Sequence, residues 1–327
     1  MTKEEIINDY LAKYPNLASL TLAKKIYNEN NLYWFNVESV RTLIRYHRGT
    51  SGKNQLKKIK KTTFLSEEKY RQKYNLPESI ETEYIPFQII ANKALIFSDV
   101  HIPFHNLNSI YRMFDFALTK NIDSIVINGD FIDCFELSYF DKEPNISRFS
   151  EEKEKTKVFL KELITVFSNV KIYYKFGNHE KRFESYLMRK APEIFDNPEF
   201  RLSVLLDLYN FGIVYIPQEK YIQLGRLAVL HGHEYVKAIT SPASPARTIF
   251  LRAKANALVG HYHQTSAHTE RSIDSSTIST WSIGCLCELH PAYMPLNKWN
   301  HGFALYTKED EDFWNIENKM IIKGRVL

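Results

Sequence analysis

Apolar positions along the chain follow two different rhythms. In residues 3–14, Ile6, Ile7, Tyr10, Leu11 and Tyr14 recur at helical spacing and fall on one face. After Pro15-Asn16 a second stripe runs through Leu22, Ala23, Ile26 and Tyr27. A third starts at Asn36, whose side chain can cap the amides of a first turn. It turns Val37, Val40, Leu43 and Ile44 inward and stops at Gly49. Three short helices predict a three-helix, helix-turn-helix-like module over residues 1–50. Residues 50–62 hold five lysines and read as a flexible basic linker. Residues 63–92 are mixed and polar, with a helix possible over Glu67–Tyr74, so 51–92 is taken as linker and connector.

From residue 93 short apolar runs alternate with amphipathic stretches, which predicts an α/β domain over 93–327. Ala94–Phe97, Ser124–Ile127, Val170–Phe176 and Leu227–Leu230 read as buried strands. Ser109–Lys120 and Glu151–Phe167 read as helices. Gly225-Arg226 separates Tyr221–Leu224 from Leu227–Leu230 and suits a hairpin turn. Further hairpins are expected near Asp274-Ser275 and Glu317-Asn318.

Composition narrows the class. The 327 residues are 44% hydrophobic and 25% charged, ordinary for a globular chain with a sizeable core. No apolar run approaches the roughly 18 residues of a membrane span. The opening Met1-Thr2-Lys3-Glu4-Glu5 is too polar for a signal peptide. Three sparse cysteines suit a reducing cytoplasm, and Cys285-Leu286-Cys287 is too short a spacing for the usual zinc motif, so it reads as packing. The net charge of +5 is uneven: residues 1–63 hold twelve Lys and Arg against five Asp and Glu. A basic end on a near-neutral body suggests a polyanion contact, or else a solvated helical surface with a disordered basic tether; with the helix-turn-helix likeness, DNA is the expected partner of residues 1–62. Arg41, Arg45, His47 and Arg48 on the third helix are the residues placed to meet it. An assembly or docking unit is the other reading of the same helices.

The chemistry lies in five motifs, each at the end of an apolar run. They are Asp99-Val100-His101, Gly129-Asp130, Gly177-Asn178-His179-Glu180, His231-Gly232-His233 and Gly260-His261-Tyr262-His263. Ligands of α/β sheets collect beyond the carboxyl ends of strands, so these side chains can converge on one crevice. Together they supply enough oxygen and imidazole donors for two adjacent divalent metals, a site suited to displacement at phosphorus.

This order of motifs resembles the calcineurin-like metallophosphoesterase family, including its phage-encoded members, across roughly residues 93–265. The resemblance implies a two-sheet β-sandwich flanked by helices. It also implies that Asp99, His101 and His263 hold one metal, that Asn178, His231 and His261 hold the other, and that Asp130 bridges both. His179 is then the catalytic imidazole, protonating the leaving oxygen or stabilising its charge while metal-activated hydroxide attacks. Mixed imidazole, carboxylate and amide donors suit Mn²⁺, Fe, Zn²⁺ or Ni²⁺ better than Mg²⁺ or Ca²⁺, with Mn²⁺ the first expectation. Glu180 and Asp133 are placed to orient His179 or a ligand, or else are surface carboxylates.

Other residues carry weaker expectations. His105 reads as a loop histidine that can approach the leaving group. Lys181, Arg182, Arg148 and Arg247 can meet an anion, though surface charge is the default for all four. His233 is expected as a hydrogen-bonding neighbour; His268, His290 and His301 have no assigned role. Trp281, Trp299, Tyr293 and Phe303 are expected in core or lid packing. Protein phosphatases of the superfamily continue the second motif with aspartate-arginine-glycine, whereas here Asp133 is followed by Cys134-Phe135. With the basic module, that favours a phosphodiesterase or nuclease acting on DNA. The alternatives are a nucleotide or monoester phosphatase, and a non-enzymatic DNA-binding protein with a structural metal.

Overall fold

The computed structural model describes residues 2–51, 66–80, 83–141, 146–238, 243–310 and 313–327. The chain forms two compact units, Met1–Thr82 and Glu83–Leu327. In the first, α1 (Lys3–Lys13), α2 (Ser19–Glu29) and α3 (Val37–His47) enclose a small core of Ile6, Ile7, Leu22, Ile26, Val40 and Ile44. Thr2 caps α1, accepting from Glu5 N at 3.2 Å, while Asn36 caps α3 through Ser39 N at 2.8 Å. Gly49, at φ +68°, follows the end of α3. A separate helix, α4, spans Glu67–Lys73. Most of the expected basic linker, residues 52–62, lies outside the described residues.

The second unit runs β1 (Phe87–Ile89), β2 (Lys93–Phe97), α5 (Leu107–Leu118), β3 (Ser124–Asn128), α6 (Phe149–Val166) and β4 (Lys171–Lys175). Next come α7 (Glu180–Lys190), α8 (Leu202–Leu205), β5 (Val214–Ile216), β6 (Ile222–Leu224), β7 (Leu227–Leu230) and α9 (Pro245–Ala253). It ends with β8 (Ala257–Val259), β9 (Ser266–Arg271), β10 (Thr277–Ser282), β11 (His301–Lys308), β12 (Trp314–Ile322) and β13 (Arg325–Val326). One sheet has the order β1-β6-β7-β8-β10-β9, and the other β13-β12-β11-β2-β3-β4-β5. Strand β1 lies upstream of the boundary expected at 93 and pairs in parallel with β6.

Side-chain alternation explains the layering. Ala94 and Ile96 of β2, Val126 of β3 and Tyr173 of β4 face Leu224, Val229 and Leu258 of the other sheet. The intervening Leu95, Phe97, Ile125, Ile127 and Tyr174 pack under the helices with Met113 of α5 and Leu160 of α6. On the outer face of the first sheet, Ile249 of α9 covers Leu230 and Val259. The result is a two-sheet sandwich with helices on both sides.

The hairpins at Gly225-Arg226 and Asp274-Ser275 form, joining β6 to β7 and β9 to β10. The hairpin expected at Glu317-Asn318 does not. Those residues pair with Leu305 and Ala304 in the middle of the β11–β12 ladder. Asn318 looks like a turn residue but ties the two sheets, donating to Ser266 O and Ser282 O at 3.0 Å each. The chain reverses instead at Lys323-Gly324, both with positive φ.

Candidate metal centre

Five strands deliver the five motifs to one edge of the sandwich. β2, β3 and β4 run parallel and end at Phe97, Asn128 and Lys175; β7 and β8 run parallel and end at Leu230 and Val259. Each chain then turns sharply. Asp99, His101, Asp130, His261 and His263 all have φ between +49° and +64°, a left-handed backbone that disfavours side chains and is held by its surroundings. Backbone bonds hold the loops together: Asp99 N to Gly129 O, His101 N to Asp130 O and Gly260 N to His231 O, at 2.9 to 3.1 Å. Gly129, at φ +85°, lies so close that a Cβ there would sit 2.5 Å from His231 Nδ1.

Each aspartate divides its oxygens between scaffold and centre. Asp99 Oδ2 accepts from Ser98 Oγ and from His261 N, leaving Oδ1 buried and turned towards the histidines of the centre. Asp130 Oδ1 accepts from His179 N at 2.9 Å, while Oδ2 lies 3.1 Å from His231 Nε2 and 3.7 Å from His179 Nε2. His263 Nε2 is 3.2 Å from both Asp99 Oδ1 and His101 Nε2. Asp130, His231 and His261 offer donor atoms within 4.8 Å of one another, as do His101, Asp130 and His179. Among the described residues, Asn178 Oδ1 is buried without a hydrogen-bond partner.

The tautomers sharpen the picture. His231 Nδ1 lies 2.7 Å from Asn128 O and His101 Nδ1 lies 3.0 Å from Asp133 Oδ2. Both partners are acceptors, so in the neutral rings Nδ1 carries the hydrogen and Nε2 presents a lone pair inward. Lone pairs of nitrogen and carboxylate oxygen facing one another in a buried space repel unless positive charge lies between them. Four imidazoles, two carboxylates and one amide oxygen therefore fit divalent cations that accept mixed nitrogen and oxygen donors.

Protons compete for the same places. Burial opposes charge on His231 and His263, yet Asp130 and Asp99 respectively hold both up at about 10 in the metal-free protein. Burial and the neighbouring His231 push His261 down to about 3. Burial works against a charged His179 too, but Asp130 and Asp133 raise its pKa. Its Nε2 also lies 2.9 Å from Arg182 Nη2, so a proton and that N–H compete for one lone pair.

The surrounding carboxylates are buried, not surface groups. Asp133 meets His101 Nδ1 at 3.0 Å, His179 Nδ1 at 3.3 Å and Arg182 Nη1 at 2.9 Å. Glu180 does not touch His179's ring. Its carboxylate accepts from Asp130 N, Phe131 N, Gly177 N and Tyr174 Oη at 2.6 to 3.0 Å, joining the second and third motifs. An ion pair between buried Lys175 and partly exposed Glu234, Nζ to Oε1 at 3.0 Å, secures the fourth: Glu234 accepts from His231 N and Gly232 N. Neither Lys175 nor Glu234 stood out in the sequence, because neither belongs to a motif.

The remaining expectations sort by position. Arg182 is held at the site, whereas Arg148 and Arg247 are exposed. His233 sits beside Glu234 at 3.6 Å, and His105 packs its ring edge-on to Phe159. His268 pairs with Glu270, His290 bonds Pro295 O, and His301 bonds Cys287 O. Phe303 is core and Trp281 packs on Trp314. Trp299 lies 4.1 Å from the His263 ring, with Tyr293 beyond it. Cys287 does more than pack: its Sγ is 3.7 Å from His263 Nδ1. That approach spans 24 residues, and no local spacing announces it.

Several known proteins are similar to this chain. The family model for calcineurin-like phosphoesterases matches residues 93–279, which include all five motifs. The Gene 54 protein of Mycobacterium phage D29 is 26% identical over 181 residues, 54% of this chain and 70% of that one. Purple acid phosphatase PPD1 from yellow lupin aligns with a TM-score of 0.42 at 13% identity, over 74% of this chain and 54% of its own. Wild-type Vps29 from Entamoeba histolytica, complexed with zinc, aligns with a TM-score of 0.38 at 10% identity, over 72% and 96%. With a family match over more than half its length, this chain belongs to the calcineurin-like phosphoesterases, and is a metal-dependent hydrolase of phosphoester bonds.

Proposed function

We propose that the protein is a dinuclear phosphodiesterase acting on DNA, as a nuclease or end-processing enzyme. Asp99, His101 and His263 hold one cation, Asn178, His231 and His261 the other, and Asp130 lies between them. Mn²⁺ is the ion proposed, and the cytoplasm the compartment. Two such cations would stabilise charge on the phosphoryl oxygens and lower the pKa of the attacking water. His179, beside the cluster with Nε2 3.7 Å from Asp130 Oδ2, protonates the leaving oxygen or stabilises its charge.

The observation that carries the DNA reading is the charge of the amino-terminal module, twelve basic against five acidic residues over 1–63. A basic module raises local concentration on DNA by releasing counterions. Arg45 is exposed on α3 and Arg41 is partly exposed. Arg48 is drawn away from that task, since its guanidinium bonds Ser19 Oγ and Pro15 O. A second reading, a nucleotide or monoester phosphatase with the module used for assembly, is favoured by Trp299 and exposed Tyr293, an aromatic pair beside His263 that suits a base.

Mn²⁺-supplemented turnover on single- and double-stranded DNA, bis-aryl phosphate and mono-aryl phosphate separates the two. DNA cleavage is expected to weaken in residues 83–327 alone and to vanish in His179→Ala. Monoester turnover only, indifferent to the truncation, sinks the DNA reading and leaves the phosphatase.

A further inference from the structure

Arg182 does not behave as a helix-surface cation. It sits on the first turn of α7, three residues after His179, with its side chain only 19% exposed. Nη1 donates to Asp133 O at 3.0 Å and to Asp133 Oδ1 at 2.9 Å. Nη2 reaches past that carboxylate to His179 Nε2, at 2.9 Å. A residue that served only to brace Asp133 would need one nitrogen. This one places its second nitrogen at the imidazole nitrogen that lies 3.7 Å from Asp130 Oδ2.

The electrostatics point the same way. Among the described residues, every other charged group tied to Asp133 and His179 is a candidate metal ligand or a carboxylate. Among them Arg182 is thus the permanent cation on the His179 side of the centre. A phosphoryl group held against two cations keeps at least one oxygen turned away from them, and that oxygen needs a donor. A guanidinium carries five N–H groups in a planar fork matched to such oxygens. Arg182 uses Nη1 on Asp133, and its Nε makes no hydrogen bond among the described residues.

We propose that Arg182 is a catalytic residue: anchored by Asp133, its Nη2 edge leaves His179 and binds a non-bridging oxygen of the substrate's phosphoryl group. It places on α7 a cation beside a second motif that has none of its own, Asp133 being followed by Cys134 and Phe135. It also gives the exchange a direction. While no substrate is present, His179 Nε2 accepts from the guanidinium; once the phosphoryl oxygen takes that edge, the Nε2 lone pair is free to take up the proton given up by the attacking water and pass it to the leaving oxygen.

The test uses full-length, Mn²⁺-loaded protein and compares wild type with Arg182→Gln and Arg182→Lys. Three quantities are read: metal ions per chain, affinity for inorganic phosphate by calorimetry, and kcat and KM on bis-aryl phosphate. Arg182→Gln is expected to keep its metals, to bind phosphate about tenfold more weakly, and to lose about a hundredfold in kcat/KM. Millimolar guanidinium is expected to restore part of that loss. Arg182→Lys falls between, because an ammonium cannot fork. Unchanged phosphate affinity in Arg182→Gln overturns the proposal. So does a loss of phosphate binding that simply tracks metal loss in both variants, which would make Arg182 a prop for Asp133. If Arg182→Gln does not fold, the lysine variant carries the same comparison.

Discussion

Asp99 and Asp130 each fix one oxygen on the backbone of another loop and turn the other inward, towards the Nε2 atoms of His263 and His231. That arrangement binds positive charge, whether as protons or as cations. The sign of its pH dependence follows. His231 and His263 stay protonated in the metal-free protein up to about 10, while His261, held at about 3, is already neutral near pH 7.5. Cations must displace the two protons, so metal affinity is expected to rise with pH through the neutral range and level off near 10. Calorimetry of Mn²⁺ binding at pH 7.5 in buffers of different ionisation enthalpy is expected to show about two protons released per chain. Release of none would mean that the histidines are not ligands. At this scale the motifs were legible because histidine and aspartate seldom recur at the ends of five apolar runs by chance. Arg182 was named only as one of four cations able to meet an anion and Cys287 only as packing, since Asp133 and His263 lie 49 and 24 residues from them and only the fold brings these pairs together.

At the scale of elements, strand ends place the donors and a few buried acids hold the strand ends. Glu180 opens α7, where its charge also meets the positive end of the helix dipole. Its two oxygens serve four donors from three segments. In Glu180→Gln one oxygen becomes an NH₂ group and can no longer accept, leaving buried donors unpaired. Urea unfolding of the metal-free protein is expected to show a loss of at least about 1–3 kcal/mol. A loss below about 0.5 kcal/mol would mean that the loops hold without this carboxylate. The strands bearing motifs could be read from sequence because both of their faces are buried, giving unbroken apolar runs. Strand β12 could not: it alternates polar and half-buried positions, and Glu317-Asn318 resembles a turn until Asn318 is seen bonding β9 and β10 of the other sheet. Strand β1, three residues long, offers too short a pattern to register.

The whole molecule pairs a small basic helical unit with a larger hydrolase unit, Met1–Thr82 and Glu83–Leu327. Chemistry belongs to the larger unit, whose sandwich gathers the donors. Substrate choice is proposed to come from the smaller one through charge, so DNA cleavage by the full chain is expected to fall steeply with salt while aryl phosphate turnover does not. Parallel rate measurements between 50 and 200 mM salt check this, and equal slopes would remove the module from substrate binding. Beneath these claims lies the assignment of seven donors to two cations with Asp130 between them. Its most direct test is the number of Mn²⁺ ions per chain after reconstitution, measured by elemental mass spectrometry in wild type and Asp130→Asn. Two ions in wild type and fewer than one in Asp130→Asn is the expected result. One ion or none in wild type, or two retained without the Asp130 carboxylate, would contradict the account.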